Sequence, residues 1–212
     1  MKNYIFTCFI LFFVSFTLHA QTEERKETSN FSLGLNFSLG NSILNSEEFK
    51  DLNGSVSGAR LNLIYDFKNE SFVSWRIGLG VETATYNANL FSSIGQASLQ
   101  SDYLRIPLKF SAVYRLGKNE SSVLSNTKFV AGVGGFLNYV YNYEVSNIEN
   151  STDLEDVDLG FGYLFSLGLE QEVSQKFTAV LCFDSSLMGD ENDKDKLKFN
   201  NNVFNLGLRY SL

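Results

Sequence analysis

The feature that most constrains this chain is a two-residue alternation that recurs eight times, with one parity apolar and free of charge in every stretch. The first stretch carries Phe31, Leu33, Leu35, Phe37 and Leu39, separated by Ser32, Gly34, Asn36 and Ser38. The same pattern occupies the odd positions of 59–67, 73–81, 129–143, 159–169 and 177–183, and the even positions of 104–114 and 204–212. Successive side chains of a strand point to opposite faces, so each stretch builds a sheet with one apolar and one polar face. The polar parity holds Arg60, Asp66, Arg76, Glu82, Arg105, Lys109, Arg115, Lys128, Glu170, Asp184 and Arg209 among many Ser, Asn and Gly. A single Pro, with 20 Phe and 10 Tyr, also favours strands.

Stretches of about ten residues, apolar on one side and polar on the other, are the pattern of transmembrane barrel strands. The intervening segments, 41–58, 68–72, 84–102, 115–127, 144–157, 170–176 and 185–202, alternate long and short. Only 115–127 is longer than that rule suggests. Long external loops and short periplasmic turns predict an even strand count with both termini periplasmic. Past residue 20 no apolar run is long enough for a spanning helix; 129–141 is broken by Gly132, Gly134, Gly135 and Asn138.

The alternation alone also fits a secreted soluble sheet, such as a lipocalin-like carrier with an apolar interior. Against that reading, the polar parity is rich in Gly, Ser and Asn and modest in charge, whereas soluble surfaces are usually more charged. Tyr114 and the series Tyr139, Tyr141 and Tyr143 fall near strand ends, where interfacial aromatic girdles lie. The expectation is therefore an all-β chain: an eight-stranded antiparallel up-and-down transmembrane β-barrel over residues 30–212.

Residues 1–20 read as a cleaved signal peptide, with Lys2 at the positive start, an apolar run over 5–18 and Ala20 before the cut. Residues 21–29 follow as a short periplasmic tail. A retained helix is the rival, but the run ends at His19-Ala20 without a positive flank. Cleavage leaves 16 basic against 24 acidic residues, a formal charge of −8, which argues against nucleic acid as a partner. Cys8 and His19, the only histidine, leave with the leader, so Cys182 stays alone without an internal disulfide. Enzymatic barrels with a catalytic histidine at the rim are excluded by that loss, and no catalytic, cofactor or metal constellation is expected.

The tail Val203-Phe204-Asn205-Leu206-Gly207-Leu208-Arg209-Tyr210-Ser211-Leu212 resembles the terminal strand of outer-membrane barrels, which commonly ends in an apolar residue with an aromatic two before it. That resemblance implies that Phe204, Leu206, Leu208, Tyr210 and Leu212 face lipid and serve as the signal read by the barrel-assembly machinery. The stretch Asp102-Tyr103-Leu104-Arg105-Ile106-Pro107-Leu108-Lys109-Phe110 resembles the "YLEIPLLLK" segment of PorT-like outer-membrane barrel proteins, with Arg105 where an acidic residue is usual. It implies the outer membrane of a Gram-negative bacterium, no enzymatic activity and no cofactor. Founding members of that family are implicated in protein secretion.

Two readings of the polar parity remain. Arg60, Arg76, Arg105, Lys109, Arg115 and Arg209 either line a cation-rich solute pore, or pair with Asp66, Glu82, Glu170 and Asp184 to plug the lumen. The plug is favoured, because an eight-stranded barrel is only wide enough for its own side chains. The loop 144–157 holds Glu144, Glu149, Asp153, Glu155 and Asp156, and 190–193 reads Asp-Glu-Asn-Asp. Neither has the spacing of a Ca²⁺ loop, and both read as solvated. The triplet Asn150-Ser151-Thr152 fits a glycosylation site without meaning in an exported bacterial chain. Segment 84–102 carries Leu90, Phe91, Ile94 and Leu99 and no charge between Glu82 and Asp102. It could extend the hairpin above the membrane or offer a protein partner an apolar patch, and packing against its own loop neighbours is the favoured reading.

Overall fold

In the computed structural model the eight alternating stretches are the staves of a closed barrel. The structure describes residues 30–46, 49–67, 73–92, 95–117, 126–146, 151–153, 158–189 and 197–212. The leader at 1–20, the tail at 21–29, Asn150 and most of both acidic loops lie outside them. The strands are β1 (Phe31–Asn45), β2 (Leu52–Phe67), β3 (Val73–Ser92), β4 (Gly95–Arg115), β5 (Thr127–Ser146), β6 (Ser151–Asp153), β7 (Asp158–Glu172), β8 (Phe177–Met188) and β9 (Lys198–Ser211). Each stave pairs antiparallel with the next, and β6 is a three-residue addition to the end of β5. Pairing of β1 with β9, from Ser32–Ser211 to Asn45–Lys198, closes the eight-stranded cylinder.

The only proline lies inside β4, where a missing N–H would normally exclude it. Pro107 faces the lumen, and the β3–β4 ladder is interrupted between the Leu79–Leu108 and Glu82–Arg105 pairs. Gly80 makes room: a Cβ there would lie 3.1 Å from Pro107 Cγ and 2.7 Å from Asn62 Oδ1. A second irregularity lies between β4 and β5, where Asp102 pairs with Asn142 but Tyr103 with Val140, leaving Tyr141 as an extra residue.

Up-and-down order places the start of β1, the end of β9 and the strand ends on either side of 68–72, 116–126 and 173–176 at one end, here the terminal end. The strand ends on either side of 46–51, 93–94, 147–157 and 189–197 lie at the other, the hairpin end. Around the terminal two thirds, the outer wall is a continuous apolar band. On β7 it comprises Leu159, Phe161, Tyr163, Phe165, Leu167 and Leu169, all exposed. Ten residue steps span about 33 Å along a strand. At the roughly 40° tilt of such barrels that is about 25 Å of height, the apolar thickness of an outer-membrane barrel.

The strands continue past that band. β3 and β4 have 20 and 21 residues, about twice what a membrane crossing needs. Above the band the two faces exchange character. On β3 the outward series Trp75, Ile77, Leu79, Val81 gives way to Thr83, Thr85, Asn87, Asn89, while the inward series Arg76, Gly78, Gly80, Glu82 becomes Ala84, Tyr86, Ala88, Leu90. The lower part is apolar outside and polar inside, and the projecting part is arranged like a soluble barrel. The connections expected at 41–58 and 84–102 are therefore largely strand, and for 84–102 this is the extended-hairpin reading. Counting one apolar parity ends each strand where that parity changes faces, not where the strand ends.

Candidate functional site

The lumen is where the charged side chains converge. Every inward position on a stave is flanked along the strand by outward ones, so the barrel wall presents alternate residues to a narrow common interior. Arg60, from β2, is 3% exposed and donates from Nη2 and Nε to Glu82 Oε2, at 2.6 and 2.9 Å, and from Nη1 to Asp184 Oδ2 at 2.6 Å. Nearer the terminal end, Arg76 donates to Asp66 Oδ1 at 2.6 Å and makes a two-pronged contact with Glu170, at 2.6 and 3.2 Å. Arg209 approaches the same two carboxylates, at 3.2 Å to Glu170 and 3.8 Å to Asp66. Charges enclosed in this way are stabilised only with their partners present.

The remaining two cations behave differently. Lys109 donates to Ser166 Oγ at 3.1 Å and forms no ion pair among the described residues. Arg105 donates to Asn138 Oδ1 at 3.3 Å and Ser186 Oγ at 2.9 Å, with its guanidinium 4.1 Å from the Phe136 ring centre. That is within the range of a cation–π contact. Arg115, expected in the lumen, is exposed at the terminal end of β4. As the last residue of its strand, it extends past the wall into solvent. At the same rim Lys128 pairs with Glu172 at 2.5 Å.

Above Arg105 the buried lumen is mainly apolar. Leu44, Val56, Tyr86, Leu99, Tyr103, Val140, Tyr143, Phe199 and Val203 form one buried cluster. Phe199 is fully buried, stacked on Tyr103 with ring centres 5.1 Å apart and met edge-on by Tyr86 at 5.2 Å. The two tyrosine hydroxyls are satisfied: Tyr86 donates to Leu52 O at 2.8 Å, and Tyr103 accepts from Asn201 Nδ2 at 2.6 Å. This plug was not expected from the sequence. Its signal is the change of faces, visible where Glu82 is followed by Ala84, Tyr86 and Ala88. Tyr143, expected on the outer girdle with Tyr139 and Tyr141, belongs to the plug, because the extra residue Tyr141 reverses the parity of β5 beyond it.

Between the ion pairs lies a cavity of about 50 Å³, lined by Arg60, Arg76, Lys109, Arg209 and Glu170 together with Asn36, Asn62, Ser111 and Ser166. On β9, Phe204 and Leu206 are exposed on the outer wall, Leu208 and Tyr210 are half-buried there and Arg209 points inward; Leu212, just past the strand, is exposed. Gly207 has no room for a side chain, since a Cβ would collide with Asn36 Oδ1 and the Leu35 carbonyl. No group of three or more metal-binding side chains occurs among the described residues.

No family model matches the sequence, and no curated protein does. Solved structures do match in shape. Neisserial surface protein A aligns over 88% of this chain and all of its own length, with 13% identity and a TM-score of 0.53. Outer membrane protein OprG from Pseudomonas aeruginosa aligns over 87% of this chain and 97% of its own, with 12% identity and a TM-score of 0.50. The fold is that of the small outer-membrane barrels. The lipocalin-like alternative fails on the wall itself: a carrier needs an apolar lumen inside a polar exterior, and the banded part of this barrel has the reverse.

Proposed function

We propose that this chain is a non-enzymatic integral protein of a Gram-negative outer membrane, plugged against solutes, with periplasmic termini and an exposed hairpin end that makes its functional contacts. The observation that supports it best is the double obstruction of the lumen, by the Arg60–Glu82–Asp184 and Arg76–Glu170 pairs below and by the Tyr103–Phe199 stack above. A solute channel would need both removed. The contacts of the hairpin end with a protein partner, with envelope organisation or with a secretion apparatus are the roles this architecture suits. The PorT-like stretch around Leu104 to Phe110 favours the last.

Purified protein in planar bilayers is expected to give no steady ion-scale current, and steps in current from the unaltered chain would overturn the plugged reading. Labelling of single cysteines in intact cells tests the orientation. A cysteine at Asn89, near the hairpin end, is expected to react with an impermeant maleimide, and one at Arg115 to react only after the outer membrane is breached. The reverse result would invert the topology.

The terminal strand is proposed as the segment bound by the assembly machinery. Deleting residues 210–212 removes Tyr210 and Leu212 from the outer wall and is expected to leave protein that lacks heat-dependent gel mobility and accumulates in the periplasm. Normal insertion of the shortened chain would refute that assignment.

A further inference from the structure

We propose that the outer wall of β2 to β5 binds the uncharged saccharide of an outer-leaflet glycolipid, the lipopolysaccharide in which such a barrel sits. This rests on the orientation given above, with the hairpin end outside. Two open grooves lie one above the other on this wall. The lower, of about 520 Å³, straddles the upper edge of the apolar band. Phe37 and Leu39 flank it on β1 and Tyr141 on β5, while small residues, among them Ser57, Ala59 and Thr83, form its floor. The upper, of about 260 Å³, begins two residues further along β2 and β3, at Ser55 and Asn87, on the projecting part. The lower groove opens into the lipid-facing band, so its occupant arrives from the membrane. The upper one lies beyond the lipid, so the other end of that occupant is polar. An amphiphile meets both conditions.

The upper groove suits a neutral polar ligand. Strand pairing sets Ser55, Asn87, Gln100 and Glu144 side by side on four neighbouring strands. Strands about 4.8 Å apart spread these groups over about 15 Å, the reach of a short run of linked sugars. The side-chain amides of Asn87, Asn89 and Gln100 have no hydrogen-bond partner among the described residues. Elsewhere on this wall the polar groups satisfy one another: Asp102 accepts from Thr85 at 2.6 Å and from Asn142 at 2.9 Å, and Ser98 and Ser146 are joined at 2.7 Å. An amide both donates and accepts, as the hydroxyls of a sugar require. No Lys or Arg lines either groove, and the carboxylates of Asp102 and Glu144 belong to the same wall. Phosphate is repelled from such a surface. The matching part of the glycolipid is therefore its uncharged hexoses.

Tyr141 adds an aromatic face. It is the residue left over where β5 bulges against β4, it is 53% exposed, and its ring centre lies 6.4 Å from that of Tyr139. Bulges re-aim side chains. This one sets Tyr141 at the edge of the lower groove, where the apolar face of a sugar ring stacks on it.

The test is competition between two purified lipopolysaccharides for the full barrel in detergent micelles, read by native mass spectrometry. One carries a complete core saccharide, and the other is cut back to its acylated, phosphorylated base. The complete form is expected to bind at least about tenfold more tightly, the effect of one or two added hydrogen bonds and a ring contact. Asn87→Ala combined with Gln100→Ala is expected to erase that preference while heat-dependent gel mobility stays unchanged. Tyr141→Ala is expected to lower it several-fold, and Tyr141→Phe, which keeps the ring, to retain it. Equal binding of the two forms, or a preference that survives the double variant, would overturn the proposal. So would a core saccharide stripped of its acyl chains that binds as tightly as the intact glycolipid, or a Ser57→Cys chain that crosslinks to itself in the membrane and so places a second copy over the groove. Binding to the purified barrel does not depend on which end faces out, so a failure of the orientation is read separately, by the cysteine labelling described above.

Discussion

Replacing Arg60 with methionine is expected to destabilise the barrel by about 3–5 kcal/mol, the usual consequence of removing one partner from a buried ion pair. Three hydrogen bonds to Glu82 and Asp184 are lost at once. The loss of the bonds matters less than what remains, two carboxylates facing each other in a lumen too narrow to hydrate them. Urea midpoints of the inserted protein should fall, and the compact gel band should convert to the unfolded one at lower temperature. Adding Glu82→Gln to the variant removes one stranded charge and leaves Asp184 near Lys109, so part of the stability should return. A lone Arg60→Met protein as stable as the parent would show that the network is not what holds the staves together.

Phe199→Ala has a comparable expected cost and a different reach. Truncating a fully buried phenylalanine destabilises by about 3–5 kcal/mol. Here the lost contacts, to Tyr103 and Tyr86, all lie beyond the apolar band. The effect should stay local, because low-stability segments open separately from the rest of a structure. Hydrogen exchange should accelerate in the upper parts of β3, β4 and β9 while amides level with Arg60 and Arg76 remain protected. Proteases added outside should cut the hairpin end faster, and the bilayer should still carry no current, since the ionic layer is intact. Loss of membrane insertion in this variant would mean instead that the plug is needed before the barrel forms.

The contrast between these two variants also marks what the sequence disclosed. The eight staves, their antiparallel order and the outward series were legible because lipid imposes a strict alternation, and Leu159 to Leu169 shows it without interruption. The pairing of Arg60 with Glu82 was legible as a class of interaction, since charges of both signs shared one parity. Its exact partners were not, because Asp184 lies on β8 and meets Arg60 only across the closed lumen. Arg115 was misplaced because parity gives a face and not a depth, and a residue at a strand terminus escapes the interior. The Tyr103–Phe199 plug was missed for a related reason. Outside the lipid the apolar residues change sides, and a search for one continuous parity reads the change as a loop.

The seam between β1 and β9 bears on how such a cylinder comes to exist. Ser38 donates to Asn205 at 2.5 Å and Ser42 to Asn201 at 2.7 Å, joining residues 167 and 159 positions apart. Closure over such separations is entropically the most demanding contact in the chain, and it comes without a connecting turn to fix the alignment. A slip of one residue would turn lipid-facing groups inward. A slip of two would keep the faces right and escape correction by hydrophobicity alone. The paired hydroxyl and amide rungs, four residues apart on both strands, act as a latch that engages in one alignment. They give the last step of assembly a way to tell the correct circumference from its neighbours.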